Sequence, residues 1–229
     1  MFLRTRLSDH HLNADTKDVV KVAIAVVATM GALVVSLLIS TAKTAYDARS
    51  NEVLQVAADV VMLDRVLAYY GPETTGARAL LSASVGAAIE RVWPNNDARP
   101  LELEPKMLPI NRLYDKIVEL EPQTNPQRAL QAEALRMAQD LGRIRFLLDI
   151  TEYTIPLPFL IILISWMTVI FLSFGIFAPN NSIAVGAFFI CSLSIAGAIF
   201  LIVDLDQPFK GLMQVSSAPL RQALARLGL

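Results

Sequence analysis

Twenty consecutive residues, Val22 to Thr41, carry no charge. At helical rise they measure about 30 Å, the thickness of a bilayer's hydrocarbon core. Ile155 to Phe177 adds 23 uncharged residues and Ile183 to Val203 another 21, each long enough to span with some tilt. Within lipid only helices and closed barrels satisfy their own backbone, and no stretch of this chain alternates in the manner of a strand. The expectation is an all-α integral membrane protein with three transmembrane helices, over 22–41, 155–177 and 183–203. Composition agrees, since 54% of the residues are hydrophobic against about 45–50% in soluble domains. A cleaved signal peptide accounts less well for the first run, because signal cores hold only about 7–15 apolar residues.

Residues 1–21 form a short polar flank. Asn13, Asp15 and Thr16 supply helix-capping side chains before the first span. Between the first and second spans, 42–154 contains no run long enough to cross a membrane, so it is expected to be a helical extramembrane domain. Apolar residues at Val53, Val56, Val60, Leu63 and Leu67 continue a helical period out of the first span until Gly71-Pro72 stops it. Thr74-Thr75 open a second helix to about Trp93, and Pro94 to Pro109 reads as an irregular loop. Helices follow from about Ile110 to Leu120 and from Gln127 to about Asp149. Ala178 to Ser182 make a tight turn that leaves the second and third spans as an antiparallel hairpin. The third span carries a small-residue face, Ala184, Ala187, Cys191, Ser194 and Ala198, suited to close helix packing. The segment 204–229 ends in a short helix.

The first span and its continuation carry a row of small or polar side chains, Ala25, Thr29, Ala32, Ser36, Ser40, Lys43 and Asp47, spaced by three or four. That spacing places them on one helical face, which is not expected to look at lipid. Two readings follow. The hydroxyls with Lys43 and Asp47 at one mouth suit a helix lining a water-filled path for inorganic ions. Ala28, Ala32, Ser36 and Ser40, four apart, equally make a small-residue seam for packing against another helix. The opposite charges of Lys43 and Asp47, one turn apart, leave ion selectivity unread.

Several function classes are excluded or disfavoured. With 20 Lys plus Arg against 21 Asp plus Glu, no basic excess exists to neutralise nucleic-acid phosphates. The single cysteine, Cys191, precludes an intramolecular disulfide and reads as a packing residue. His10 and His11 are adjacent and lack a third ligand nearby, so no metal is expected. No phosphate loop, serine elbow or Cys–His pair is present; no enzyme activity and no cofactor are expected. Asp59 and Asp64, with Arg65, read as a solvated or mutually paired helix face. Near the span ends, Arg4, Arg6, Lys17 and Lys21 lie on one side, and Lys43, Arg49, Arg143, Arg145, Lys210 and Arg221 on the other. The count favours a cytoplasmic helical domain and carboxyl terminus.

Longer motifs carry a family resemblance. HHLNADTKDVV from His10, ATMGALVVSLLISTAK from Ala28, LDRVLAYYGPE from Leu63, Trp93-Pro94 and DLDQPFKG from Asp204 together resemble the bestrophin-like family of small bacterial membrane proteins of unknown function. The resemblance covers nearly the whole chain, with Asp64, Arg65, Gly71, Pro72, Asp204, Asp206, Pro208, Phe209 and Gly211 as its motif residues. More distantly, Thr44-Ala45-Tyr46-Asp47 with Arg49 and Glu52 is similar to the end of the second, pore-lining helix of bacterial bestrophins. Gln207-Pro208-Phe209, followed by Gly211, is similar to the Pro-Phe-Gly after their fourth helix. The resemblance implies that the first span corresponds to the second helix of a four-helix unit, whose leading helix either has been lost or lies before Met1. It further implies a homo-oligomer, a pentamer by analogy, conducting ions across a bacterial inner membrane with its helical domain cytosolic. The acidic calcium-binding run of bestrophins is replaced by Leu212 to Ser216, so calcium gating is not expected. The alternative is a non-conducting membrane scaffold whose helical domain binds a partner protein.

Overall fold

A computed structural model describes residues 14–94, 109–149, 155, 157–177 and 181–227. The polar flank with His10, His11 and the Asn13 cap, the loop at 95–108 and the turn at 178–180 lie outside the described residues. Seven α-helices are present among the described residues, and no strand: α1 Ala14–Tyr70, α2 Thr75–Val92, α3 Pro109–Val118, α4 Asn125–Asp149, α5 Leu157–Phe177, α6 Ser182–Leu205 and α7 Ala218–Arg226. The chain is all-α, and α1, α5 and α6 are long and apolar enough to cross a membrane. The helix limits differ from those read in the sequence by two residues or fewer, and α1 runs unbroken from Ala14 through the first span to the stop at Gly71-Pro72.

The 57 residues of α1 make a helix about 85 Å long. It contains no proline, and its threonines return their hydroxyls to the preceding turn: Thr29 to the Ala25 carbonyl at 2.8 Å, Thr41 to Leu37 at 2.9 Å and Thr44 to Ser40 at 2.9 Å. Gly71 ends it at φ 140°, where an L side chain is strained, and Pro72 begins a single 3-10 turn to Thr74. Thr74 is fully buried, and its hydroxyl lies 2.6 Å from the Leu67 carbonyl and 2.8 Å from that of Gly71. The corner between α1 and α2 is thereby closed by a polar group that returns its hydrogen to the helix it follows.

The chain divides into two compact units, and the division falls within α1. The first contains Met1–Tyr46 and Tyr153–Met213. Its core is one stripe of α1, Ile24, Leu38 and Ala42, set against Leu163, Met167 and Ile170 of α5 and Ile202 and Leu205 of α6. Gly31 lies in the middle of that stripe, where an added Cβ would run into the end of the Met167 side chain. Gly31 thus leaves room for the Met167 side chain at the contact of α1 with α5, and of the alanine and serine seam Ala28 also packs against this core, whereas Ala32, Ser36 and Ser40 are exposed. Asn181 caps α6 by accepting the Ile183 amide at 3.1 Å. Ala187, Cys191 and Ser194, from the small-residue face of α6, remain exposed within the chain.

The second unit contains Asp47–Glu152 and Gln214–Leu229, so the segment after α6 is shared: residues to Met213 belong with the spans and α7 with the helical unit. Buried residues recur at helical spacing, with Val53, Ala57, Val60, Leu63 and Leu67 on α1 and Ala77, Leu81, Val85 and Ile89 on α2. Leu113 and Ile117 of α3, Met137 and Leu141 of α4, Leu220 of α7 and Leu227 at its end add to the buried set. Side-chain amides and an indole fasten the ends. Gln131 donates to the Ile117 and Leu120 carbonyls at 2.9 and 2.8 Å, and the Trp93 indole N–H donates to the Val215 carbonyl at 2.8 Å. Each such bond contributes on the order of 1 kcal/mol.

Candidate functional site

Side chains on α1 fall on three faces at about 100° per residue. Ile24, Gly31, Leu38 and Ala42 form the face that packs within the chain. Large aliphatic residues, Val22, Val26, Leu33 and Leu37, form a second face and are exposed. The row Ala25, Thr29, Ala32, Ser36, Ser40 and Lys43 forms the third, centred about 140° around the helix from Gly31, and every member is exposed. Asp47, one turn further on, is exposed as well. Neither α5 nor α6 covers this row.

The hydroxyls of the row are not equivalent. Thr29 is satisfied by its own helix, whereas those of Ser36 and Ser40 have no hydrogen-bond partner among the described residues. At the end of the span, the Lys43 ammonium lies 5.5 Å from the centre of the Tyr46 ring. Beyond it, Arg49 and Glu52 pair at 2.9 Å. The span thus ends in a charged, aromatic collar.

A second constellation follows α6. Asp204 is buried, and its carboxylate accepts the Leu212 amide at 2.8 Å and the Met213 amide at 2.9 Å. Gly211 lies against that carboxylate so closely that a Cβ there would collide with it. Asp206 accepts the Ile155 amide at 3.2 Å, tying the entry of α5 to the exit of α6. Pro208 is buried and Phe209 half-buried within the same turn. Both carboxylates serve as acceptors for backbone N–H groups, which is the chemistry of a folded turn rather than of an open cation site. Among the described residues no group of three or more His, Cys, Asp or Glu is placed to hold a metal ion.

The Asp64-Arg65 pair separates in the structure. Asp64 is buried, not solvated, and receives the Arg78 guanidinium of α2 at 2.7 and 3.0 Å. Hydrogen bonding to Asp64 holds the Arg78 guanidinium above its already high ordinary pKa. Arg65 points elsewhere and is exposed, and Asp59 accepts the Gln55 side-chain amide at 2.9 Å. Sequence reasoning missed Arg78 and Gly31: neither the residue type nor its local spacing signals the distant partner it meets.

The Bestrophin-like domain model matches residues 1–220 of the chain. The chain belongs to the Bestrophin-like family. No curated protein and no solved structure matches it. The family and the three apolar helices together make this Bestrophin-like chain a membrane protein related to bestrophins. Its motif residues distribute over two places: Asp64 and Arg65 in the last two turns of α1 with Gly71 and Pro72 at the turn to α2, and Asp204 to Gly211 at the exit of α6.

Proposed function

We propose that the protein is an oligomeric ion channel or pore whose first transmembrane helix lines the path. The observation that carries this reading is the pair of hydroxyls at Ser36 and Ser40, without a hydrogen-bond partner among the described residues and on a face of α1 that those residues leave uncovered. Hydrocarbon offers these groups nothing beyond their own helix's carbonyls, whereas water in a pore or a neighbouring copy gives them a full partner. Several copies turning this face to a common axis supply both, with the large aliphatic stripe, about 70° further around α1, flanking the contact between copies. The family supports a membrane oligomer, with a pentamer as its expected form.

The same reading places the protein in a bacterial inner membrane with its helical unit and carboxyl terminus cytoplasmic, following the charge count at the span ends. It assigns no catalytic step and no calcium gate. Asp204 and Asp206, the carboxylates nearest the Pro-Phe motif, already accept backbone amides. A non-conducting scaffold is the second reading, favoured by the small side chains Ala25 and Ala32 within the row, and it requires the row to be packed dry.

Purified protein reconstituted in liposomes tests the choice. Ion flux that is lost in Ser36→Leu, with the oligomer intact by mass, is the expected result. A monomer or dimer without flux overturns the channel reading, as does flux unchanged by Ser36→Leu.

A further inference from the structure

Within the unit formed by Asp47–Glu152 and Gln214–Leu229, α1 and α7 leave an open trough of about 360 Å³ between them. Its floor is aliphatic and low, with Leu54, Ala58 and Val61 from α1 and Ala223 from α7. Leu54 and Met62 are 52% and 54% exposed, so apolar surface faces water here in a unit whose other large side chains are mostly buried. Arg65 and Arg226 line the trough, and among the described residues no acidic side chain does. Neither guanidinium has a hydrogen-bond or ion-pair partner among the described residues. Arg65 is exposed on a different side of α1 from Asp64, which is buried and paired with Arg78.

We propose that this trough docks an acidic amphipathic helix of a partner protein. Two helices side by side present a groove into which the ridge of a third packs, reading aliphatic anchors at i, i+3, i+4 and i+7. Alanines on the floor let that third backbone approach closely, and the flexible thioether of Met62 adapts to the side chains above it. Carboxylates flanking the apolar stripe meet the two free guanidiniums, whose planar forks match carboxylate geometry. Openness argues against a small molecule, because ligand pockets bury about 70–90% of what they hold. The site lies in the helical unit and does not depend on whether the chain conducts ions.

The test uses full-length protein in phosphatidylcholine nanodiscs and a fluorescein-labelled helical peptide of about 15 residues, with leucines at i, i+4 and i+7 flanked by glutamates. Its control is the same peptide with lysine for glutamate. The glutamate peptide is expected to bind at least about tenfold more tightly than the lysine peptide, and Arg65→Glu with Arg226→Glu is expected to reverse that preference. Ala58→Trp, which fills the floor without changing charge, is expected to abolish binding of the glutamate peptide. Equal binding of the two peptides, or binding unchanged by the double charge reversal, overturns the proposal. Displacement of the bound glutamate peptide by soluble glycerol phosphate, and not by chloride at equal ionic strength, overturns it in favour of a lipid headgroup. A fall in oligomer mass on charge reversal overturns it in favour of a second copy of the chain.

Discussion

Asp64 on α1 and Arg78 on α2 meet through two hydrogen bonds, Nε to Oδ1 at 2.7 Å and Nη2 to Oδ2 at 3.0 Å, with both side chains largely withdrawn from water. A carboxylate left in that place without its guanidinium retains the cost of desolvation and loses the compensation. Arg78→Leu is therefore expected to destabilise the helical unit by about 2–4 kcal/mol, read as a lowered thermal midpoint. Asp64→Leu together with Arg78→Leu is expected to recover part of that loss. A double variant no more stable than Arg78→Leu alone contradicts this account.

Tyr70 gives a prediction of opposite sign. It is buried, and its hydroxyl has no hydrogen-bond partner among the described residues. An unmet buried hydroxyl costs about 1–3 kcal/mol, so Tyr70→Phe is expected to stabilise the protein or leave it unchanged. A drop in thermal midpoint of several degrees shows that the hydroxyl is engaged after all.

At the exit of α6, Asp204 and Gly211 depend on each other. Asp204→Asn replaces one acceptor oxygen by a donor and leaves an amide of Leu212 or Met213 unmatched, at a cost of about 1–3 kcal/mol. Gly211→Ala pushes a methyl into the same carboxylate and is expected to act in the same direction. Hydrogen exchange at the Leu212 and Met213 amides reads both variants locally. Protection unchanged in Asp204→Asn refutes the assigned role.

Gly31 separates size from helix propensity. Gly31→Ala adds one methyl against the flexible end of Met167 and gains about 1 kcal/mol of helix propensity, so it is expected to be near neutral. Gly31→Phe cannot be absorbed in this way and is expected to part α1 from α5. Cysteine cross-linking of those two helices measures the separation, and retained cross-linking in Gly31→Phe contradicts the close approach.

These relationships divide by how far along the chain their causes lie. The course of α1 is written locally: Val53, Val60 and Leu67 mark one face, and Gly71-Pro72 marks the stop. The polar row of α1 is likewise a matter of spacing, but its exposure is not, because nothing near Ser36 tells that Leu163 and Met167 pack on the opposite side. Arg78 stands fourteen positions from Asp64, beyond the reach of any helical periodicity. Asp204 reads as one of two acids in a loop until the chain folds back and brings the amides of Leu212 and Met213 to it. In a membrane chain the apolar period loses its meaning as well, since lipid-facing and core-facing stripes are both aliphatic. The trough between α1 and α7 joins segments separated by the whole length of the helical unit and the hairpin.

The bond from the Ile155 amide to the Asp206 carboxylate has a bearing on how the hairpin closes. Its donor precedes α5 and its acceptor follows α6, so both spans must be in place before it can form. The bond therefore reports on closure of the hairpin's open end rather than on insertion of either helix, and Asp206→Ala is expected to raise hydrogen exchange at the Ile155 amide while the protein still fractionates with the membrane.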